Sequence, residues 1–291
     1  MVFEDALEII SAIKRSWRFQ LEQIIKKRNK ASLKLLLHGT LGAFMTKIEG
    51  YDQKRLLTEY NWDVLIVLDA CRYDYFEQEY REFFYGKLLK TVSPASGTVP
   101  WLKTVFSGFY PNIHIISSNP FINSKGIKIM GYKATDHFLS ENIYDVWDYK
   151  WDENLNTVHP KDVMDEALCR QNEIQPPEKL VIWFLQPHGP WIGEPKILTS
   201  SSRPMEGHDE AIVSLIRKGE ISIETFREAY RGNLRLVLKF VSGLVNQIDK
   251  KKKIIITSDH GELLGEYNSF LHFSFFCVPE LRQVPFLIVK K

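Results

Sequence analysis

Residues 62–72 read Trp62-Asp63-Val64-Leu65-Ile66-Val67-Leu68-Asp69-Ala70-Cys71-Arg72, a short apolar run rich in branched side chains that ends directly on an acid. A run of this length without alternation is the pattern of a strand covered on both faces, as in parallel sheets. Similar runs recur at residues 113–117, 180–185, 254–257 and 286–289. Between them, residues 73–84, 99–106, 160–171 and 223–248 carry the three-to-four spacing of helices. Strands alternating with helices predict an α/β domain with a mostly parallel central sheet and helices on both faces. Residues 133–159, aromatic and acidic, and residues 193–207, rich in Ser, Pro and Gly, read as long loops that shape a pocket.

In open α/β sheets ligands bind at the carboxyl ends of the strands, so polar residues just after apolar runs are the first candidates for chemistry. One such place is Asp69; the other is Thr257-Ser258-Asp259-His260-Gly261-Glu262. Asp69, Asp259 and His260 offer the carboxylate and imidazole mixture that a divalent cation accepts. Either place alone reads equally well as a helix cap or a turn. A third stretch, Ser93-Pro94-Ala95-Ser96-Gly97-Thr98-Val99-Pro100-Trp101, puts hydroxyls in a loop before a helix. Thr98 falls near that helix's N-terminus, where backbone N–H groups and the dipole favour an anion. The same position suits an N-cap with Pro100 in the first turn.

This order of segments resembles the alkaline phosphatase/sulfatase superfamily over residues 61–291. The family pattern is a strand-terminal Asp, a hydroxyl-x-Pro motif about thirty residues later, and a Thr-Ser-Asp-His-Gly-Glu stretch near the end. In the sulfatase pattern a Gly follows the nucleophile by ten positions. Gly108 stands in that relation to Thr98, and Pro100 takes the motif's proline place, which selects Thr98 over Ser93 and Ser96. The resemblance implies an alkaline phosphatase-like three-layer sandwich. It also implies Asp69, Asp259 and His260 as metal ligands, with Thr98 as nucleophile and fourth ligand. His272, twelve residues after His260, is a further ligand candidate. His188, in Gln186-Pro187-His188-Gly189-Pro190, is a catalytic candidate that contacts substrate oxygens or protonates the leaving group.

The departures matter as well. Ala70 stands where sulfatases have a second Asp, Gln186 where two-metal relatives have a metal-binding Asp, and Leu102 where the motif has Arg. One divalent ion (Mn, Zn, Mg or Ca) is therefore expected rather than two. Formylglycine arises from Cys or Ser, so a Thr nucleophile points to phosphate esters, as in relatives similar to phosphodiesterases and lipoteichoic acid synthase-type phosphotransferases. Sulfate-ester hydrolysis on the same fold is the alternative, and a non-catalytic membrane-surface binding module is a second one. His38, His114, His137, His159 and His208 lack comparable context and read as structural or exposed.

The 291 residues are 44% hydrophobic and 25% charged, enough for one large domain with a substantial core. Residues 1–60 are expected as a basic helical attachment and residues 61–291 as the catalytic domain. From Leu7, the residues Ile10, Ile13, Trp17, Leu21 and Ile24 trace one face of an amphipathic helix. Its other face is basic, from Lys14 to Lys34. Such a helix lies on an anionic membrane or packs on the catalytic domain with its charges solvated. The net charge of +2, from 38 basic and 36 acidic residues, gives no field that marks nucleic acid as a specific partner. The expected partner is an anionic ester, with peripheral membrane contact through the basic helix. Three widely spaced cysteines and an N-terminus without a signal-peptide pattern predict a cytoplasmic protein, peripheral at most to the membrane.

Overall fold

Val64–Leu68 is buried along its whole length and lies inside an eight-stranded sheet. The computed structural model describes residues 49–174, 176–198, 208–272 and 277–291. The amphipathic helix expected from Leu7 therefore lies outside the described residues. In chain order the strands are β1 (Tyr51–Asp52), β2 (Val64–Leu68), β3 (Gly86–Val92), β4 (Ile113–Ser117), β5 (Ile143–Asp145), β6 (Trp151–Asp152), β7 (Thr157–Val158), β8 (Lys179–Phe184), β9 (Ile254–Thr257), β10 (Leu263–Leu264), β11 (Phe270–Leu271) and β12 (Gln283–Val289). Strands β6 and β7 pair with each other, as do β10 and β11, and the rest form the main sheet in the order β1-β3-β12-β9-β2-β8-β4-β5. The helices are α1 (Gln53–Glu59), α2 (Tyr73–Glu79), α3 (Thr98–Val105), α4 (Val146–Tyr149), α5 (Pro160–Arg170), α6 (His208–Arg217), α7 (Ile223–Gln247) and α8 (Pro279–Arg282).

The run at β2 is apolar throughout because both of its faces are covered. Val64, Ile66 and Leu68 join the core under α2, α5 and α7, while Leu65 and Val67 join the core under α1 and α3. Helix α7 shows the matching helical pattern: Phe226, Tyr230, Leu234, Val237, Val241 and Leu244 are buried at intervals of three or four. This is the three-layer α/β arrangement that the alternation of strands and helices predicts.

Several elements differ from the sequence expectation. Strand β12 is antiparallel to both of its neighbours, β3 and β9, and starts at Gln283, ahead of Pro285. Strand β3 escaped the reading because Lys87 and Lys90 interrupt its apolar residues and most of its side chains are only partly buried. The helix expected over residues 73–84 ends at Glu79 and continues as a 3₁₀ turn, Tyr80–Glu82. Helix α6 was not foreseen; of the loop expected at residues 193–207, residues 199–207 lie outside the described residues. Residues 51–59, counted with the attachment, pair with β3 through β1 and bury Gln53 and Leu57 of α1. The sheet therefore begins before Asn61.

Candidate active site

Strands β2 and β9 are parallel neighbours, with Val67 opposite Thr257. The residues that follow them, Asp69 and Asp259-His260, are brought side by side at the carboxyl edge of the sheet. Ala70 turns the chain there with φ +57, a left-handed value that costs an alanine strain. That turn lets the Ala70 N–H donate to Asp259 Oδ1 at 3.1 Å, and Cys71 N donates to Ser258 Oγ at 2.8 Å. From α7, the buried Tyr230 hydroxyl donates to Ala70 O at 2.7 Å and accepts from Arg72 N at 2.9 Å. Four polar bonds thus hold the strained turn in place.

Thr98 opens α3, and its cap residue, Gly97, has no side chain with which to cap the first-turn N–H groups. The Thr98 hydroxyl donates to Asp259 Oδ2 at 2.8 Å and lies 3.4 Å from His260 Nε2. His260 Nε2 is 3.3 Å from Asp259 Oδ2 and 3.8 Å from Asp69 Oδ1. The other Asp69 oxygen, Oδ2, accepts from Asn119 Nδ2 at 2.7 Å and from Trp183 Nε1 at 3.0 Å, which leaves Oδ1 for the centre of the cluster.

The donor set fits a divalent cation. His260 Nδ1 lies 2.8 Å from Gly261 O, and a carbonyl only accepts, so Nδ1 carries the hydrogen and Nε2 presents a lone pair. That lone pair faces carboxylate oxygens, an arrangement of acceptors that a cation would join and that repels without one. Burial, followed by the neighbouring Asp259 carboxylate, raises the pKa of Asp69. Burial lifts Asp259 to about 6 against the opposing Thr98 hydrogen bond. Burial, and then the nearby His272, lower His260 to about 3, so its imidazole is neutral. One ligand atom from each of Asp69, Asp259 and His260 lies within 4.8 Å of the others. This geometry suits cation ligation.

All six residues expected from the sequence converge here, though not in one set. The His272 ring centroid is 4.2 Å from that of His260 and 5.3 Å from that of His188. The ligand atoms of His272 group with those of His188 and Glu262, again within 4.8 Å, and His272 Nδ1 donates to Glu262 Oε1 at 3.0 Å. Glu262 was not singled out as a site residue. It is fully buried, and its Oε2 has no hydrogen-bond partner among the described residues. Asn119 was also missed: it lies two residues past the end of β4, behind Ser117 and Ser118, and not directly after the strand as Asp69 does. His114, read as structural, pairs with Glu178 at 3.4 Å, away from this cluster.

Residues 120–291, more than half of the chain, match the sulfatase family model, and this region includes His188, Asp259, His260, Glu262 and His272. No curated protein sequence matches the chain. The fold is similar to the soluble domain of lipooligosaccharide phosphoethanolamine transferase A from Neisseria meningitidis, with a TM-score of 0.54 and 11% identity over 78% of this chain and 75% of that one. It is also similar to the integral membrane protein of that name from the same organism, with a TM-score of 0.53 and 13% identity. There the match covers 94% of this chain but 59% of the larger protein. At such identities the likeness is one of fold. The family match, together with the strand order and the residues at the sheet's carboxyl edge, leads to one conclusion: the chain belongs to the sulfatase family, within the alkaline phosphatase superfamily.

Proposed function

We propose that this protein is a metal-dependent phosphoric ester hydrolase or phosphotransferase acting through a covalent Thr98 intermediate. One observation carries the reading: the Thr98 hydroxyl stands at the start of α3, 2.8 Å from Asp259 and 3.4 Å from His260, within a group of carboxylates and imidazole. Asp69, Asp259 and His260, with Thr98 as fourth ligand, would hold the cation, and zinc or manganese suits that mixture of donors. A cation there supplies charge stabilisation and makes a hydroxyl a better nucleophile.

The chain's own groups divide the remaining work. Thr98 Oγ1 attacks phosphorus in line, with its proton directed toward the Asp259 carboxylate. The first-turn N–H groups of α3, whose cap residue Gly97 has no side chain, face negative charge on the phosphoryl oxygens. His188 or His272 gives a proton to the departing oxygen as the bond from phosphorus breaks. His188 Nδ1 lies 2.8 Å from Gly189 O and His272 Nδ1 3.0 Å from Glu262 Oε1, contacts that fix the orientation of each ring. Water or an alcohol then takes the phosphoryl group from Thr98. The two fold neighbours named above are transferases by name, so acceptor alcohols belong in the assay.

Sulfate-ester hydrolysis is the second reading, favoured by the match to the sulfatase family. Threonine cannot mature to formylglycine, which weighs against it. Aryl phosphate monoesters, diesters and sulfates, each tested with several divalent metals, separate the two readings. Phosphate mass on the Thr98 peptide after acid quenching supports the proposal; turnover of sulfates alone, or label on Ser93 or Ser96, overturns it. We also propose that the basic segment before the described residues makes peripheral contact with anionic membranes. Deleting Met1 to Lys30 should reduce binding to anionic vesicles and leave turnover of a small soluble ester intact.

A further inference from the structure

We propose that Gln53 is a positioning residue that sets the Thr98 helix against the Asp259–His260 loop. It lies sixteen residues ahead of the first motif acid and outside the region that matches the family. Gln53 is fully buried. Its Nε2 donates to Thr257 Oγ1 at 2.8 Å and to Ser258 O at 2.6 Å, the two residues just before Asp259. Its Oε1 accepts from Trp101 Nε1 at 2.9 Å, and Trp101 sits one turn beyond Thr98 on α3. One amide therefore holds both the helix that carries the hydroxyl and the loop that carries its partner carboxylate.

The partners are themselves fixed. Thr257 Oγ1 donates its hydrogen to Pro285 O at 2.7 Å, so it can only accept from Gln53. Ser258 Oγ donates to His260 O at 2.6 Å while accepting from Cys71 N. Trp101 packs edge-on against Trp183, with centroids 5.5 Å apart, and Trp183 Nε1 donates to Asp69 Oδ2. The buried line Ser258–Gln53–Trp101–Trp183–Asp69 thus touches every segment that supplies a residue to the candidate cation cluster. Catalysis by a prearranged hydroxyl is sensitive to displacements of about 1 Å. An amide bonded to both sides of the Thr98–Asp259 contact is placed to prevent such a displacement.

The role rests on the proposed Thr98 chemistry, so its test has one arm that reads activity and one that does not. Gln53→Met keeps the length of the side chain and removes all three hydrogen bonds; Trp101→Phe keeps most of the packing and removes one. Each variant should lower kcat about tenfold or more with KM changed less than about twofold and metal content unchanged, and the double variant should lose little beyond the worse single one. Unchanged kcat per metal-loaded site in both variants would reduce Gln53 to an ordinary core contact and overturn the proposal. In the second arm, amide hydrogen exchange in Gln53→Met, or in Trp101→Phe if the former does not fold, should quicken at residues 97–101 and 257–260 and stay unchanged elsewhere in the sheet. Unchanged exchange there, or an increase spread over the whole sheet, overturns the proposal even if the wild-type protein turns over no ester.

Discussion

Thr98 donates its hydroxyl hydrogen to Asp259 Oδ2 over 2.8 Å, joining residues 161 positions apart in the chain. The contact exists because β12 bridges β3 and β9, which brings the loop after β3 beside the loop after β9. A nucleophile candidate and a ligand candidate are thereby oriented before any substrate arrives.

Thr98→Ala should lower kcat by at least about a thousandfold while leaving metal content near that of wild type, because a removed nucleophile commonly costs several orders of magnitude. Thr98→Ser should keep part of the activity. Steady-state kinetics alongside elemental analysis checks both, and full activity in the alanine variant would remove Thr98 from the mechanism.

Asp259→Asn and His260→Ala should each lose bound metal while keeping the native circular dichroism spectrum, since both residues follow β9 rather than forming its apolar core. Proton and cation compete for the Asp259 carboxylate, whose pKa is pushed up to about 6, so metal affinity in the wild type should fall as pH drops through about 6. Competition titrations from pH 5 to 8 test this, and a flat profile counts against Asp259 as a ligand.

The same shift has a consequence for stability. Folding raises the Asp259 pKa above its unfolded value, so its contribution is most favourable at low pH and is lost as pH rises through about 6. With chelator present, Asp259→Asn should therefore gain stability relative to wild type at pH 8 compared with pH 5, by roughly 1–3 kcal/mol. Urea denaturation of both proteins at the two pH values measures it; a gain at pH 5 instead would reverse the assigned sign.

Tyr230→Phe should destabilise the protein by about 1–3 kcal/mol, because Ala70 O and Arg72 N lose a buried partner. Ala70, at φ +57, should then relax, and metal affinity should fall although Tyr230 offers no ligand. An effect on stability with metal affinity untouched would show that the turn does not depend on this clamp.

Much of the architecture was legible from residues 64–68, 180–185 and 254–256, where continuous apolar runs are satisfied by cover on both faces. Asp69 and Asp259 stood out as candidates because each lies just past a strand, whereas Thr98 was picked from the hydroxyls of its loop by the register that the family resemblance implies. Strand β3 was not, since Lys87 and Lys90 break its pattern where the sheet is partly exposed. Gln53 carried no signal at all: a lone glutamine after a short strand looks like surface until its three partners are placed around it. Glu262 lay in plain view within the Asp-His-Gly-Glu stretch, but its pairing with His272 depends on how the β10–β11 hairpin folds back.

The order of apolar runs and helical periodicities by itself determined the α/β class, because backbone hydrogen bonding and burial leave few other uses for such segments. It also determined which polar residues end strands. Strand neighbourhood was decided only in the tertiary structure. Nothing local to Asp69 or Asp259 says that β2 and β9 pair, that β12 runs antiparallel, or that His272 turns to Glu262 and His188. Those choices depend on contacts between residues far apart in the chain, where the energy lies in surfaces that meet after folding and not in any window of sequence.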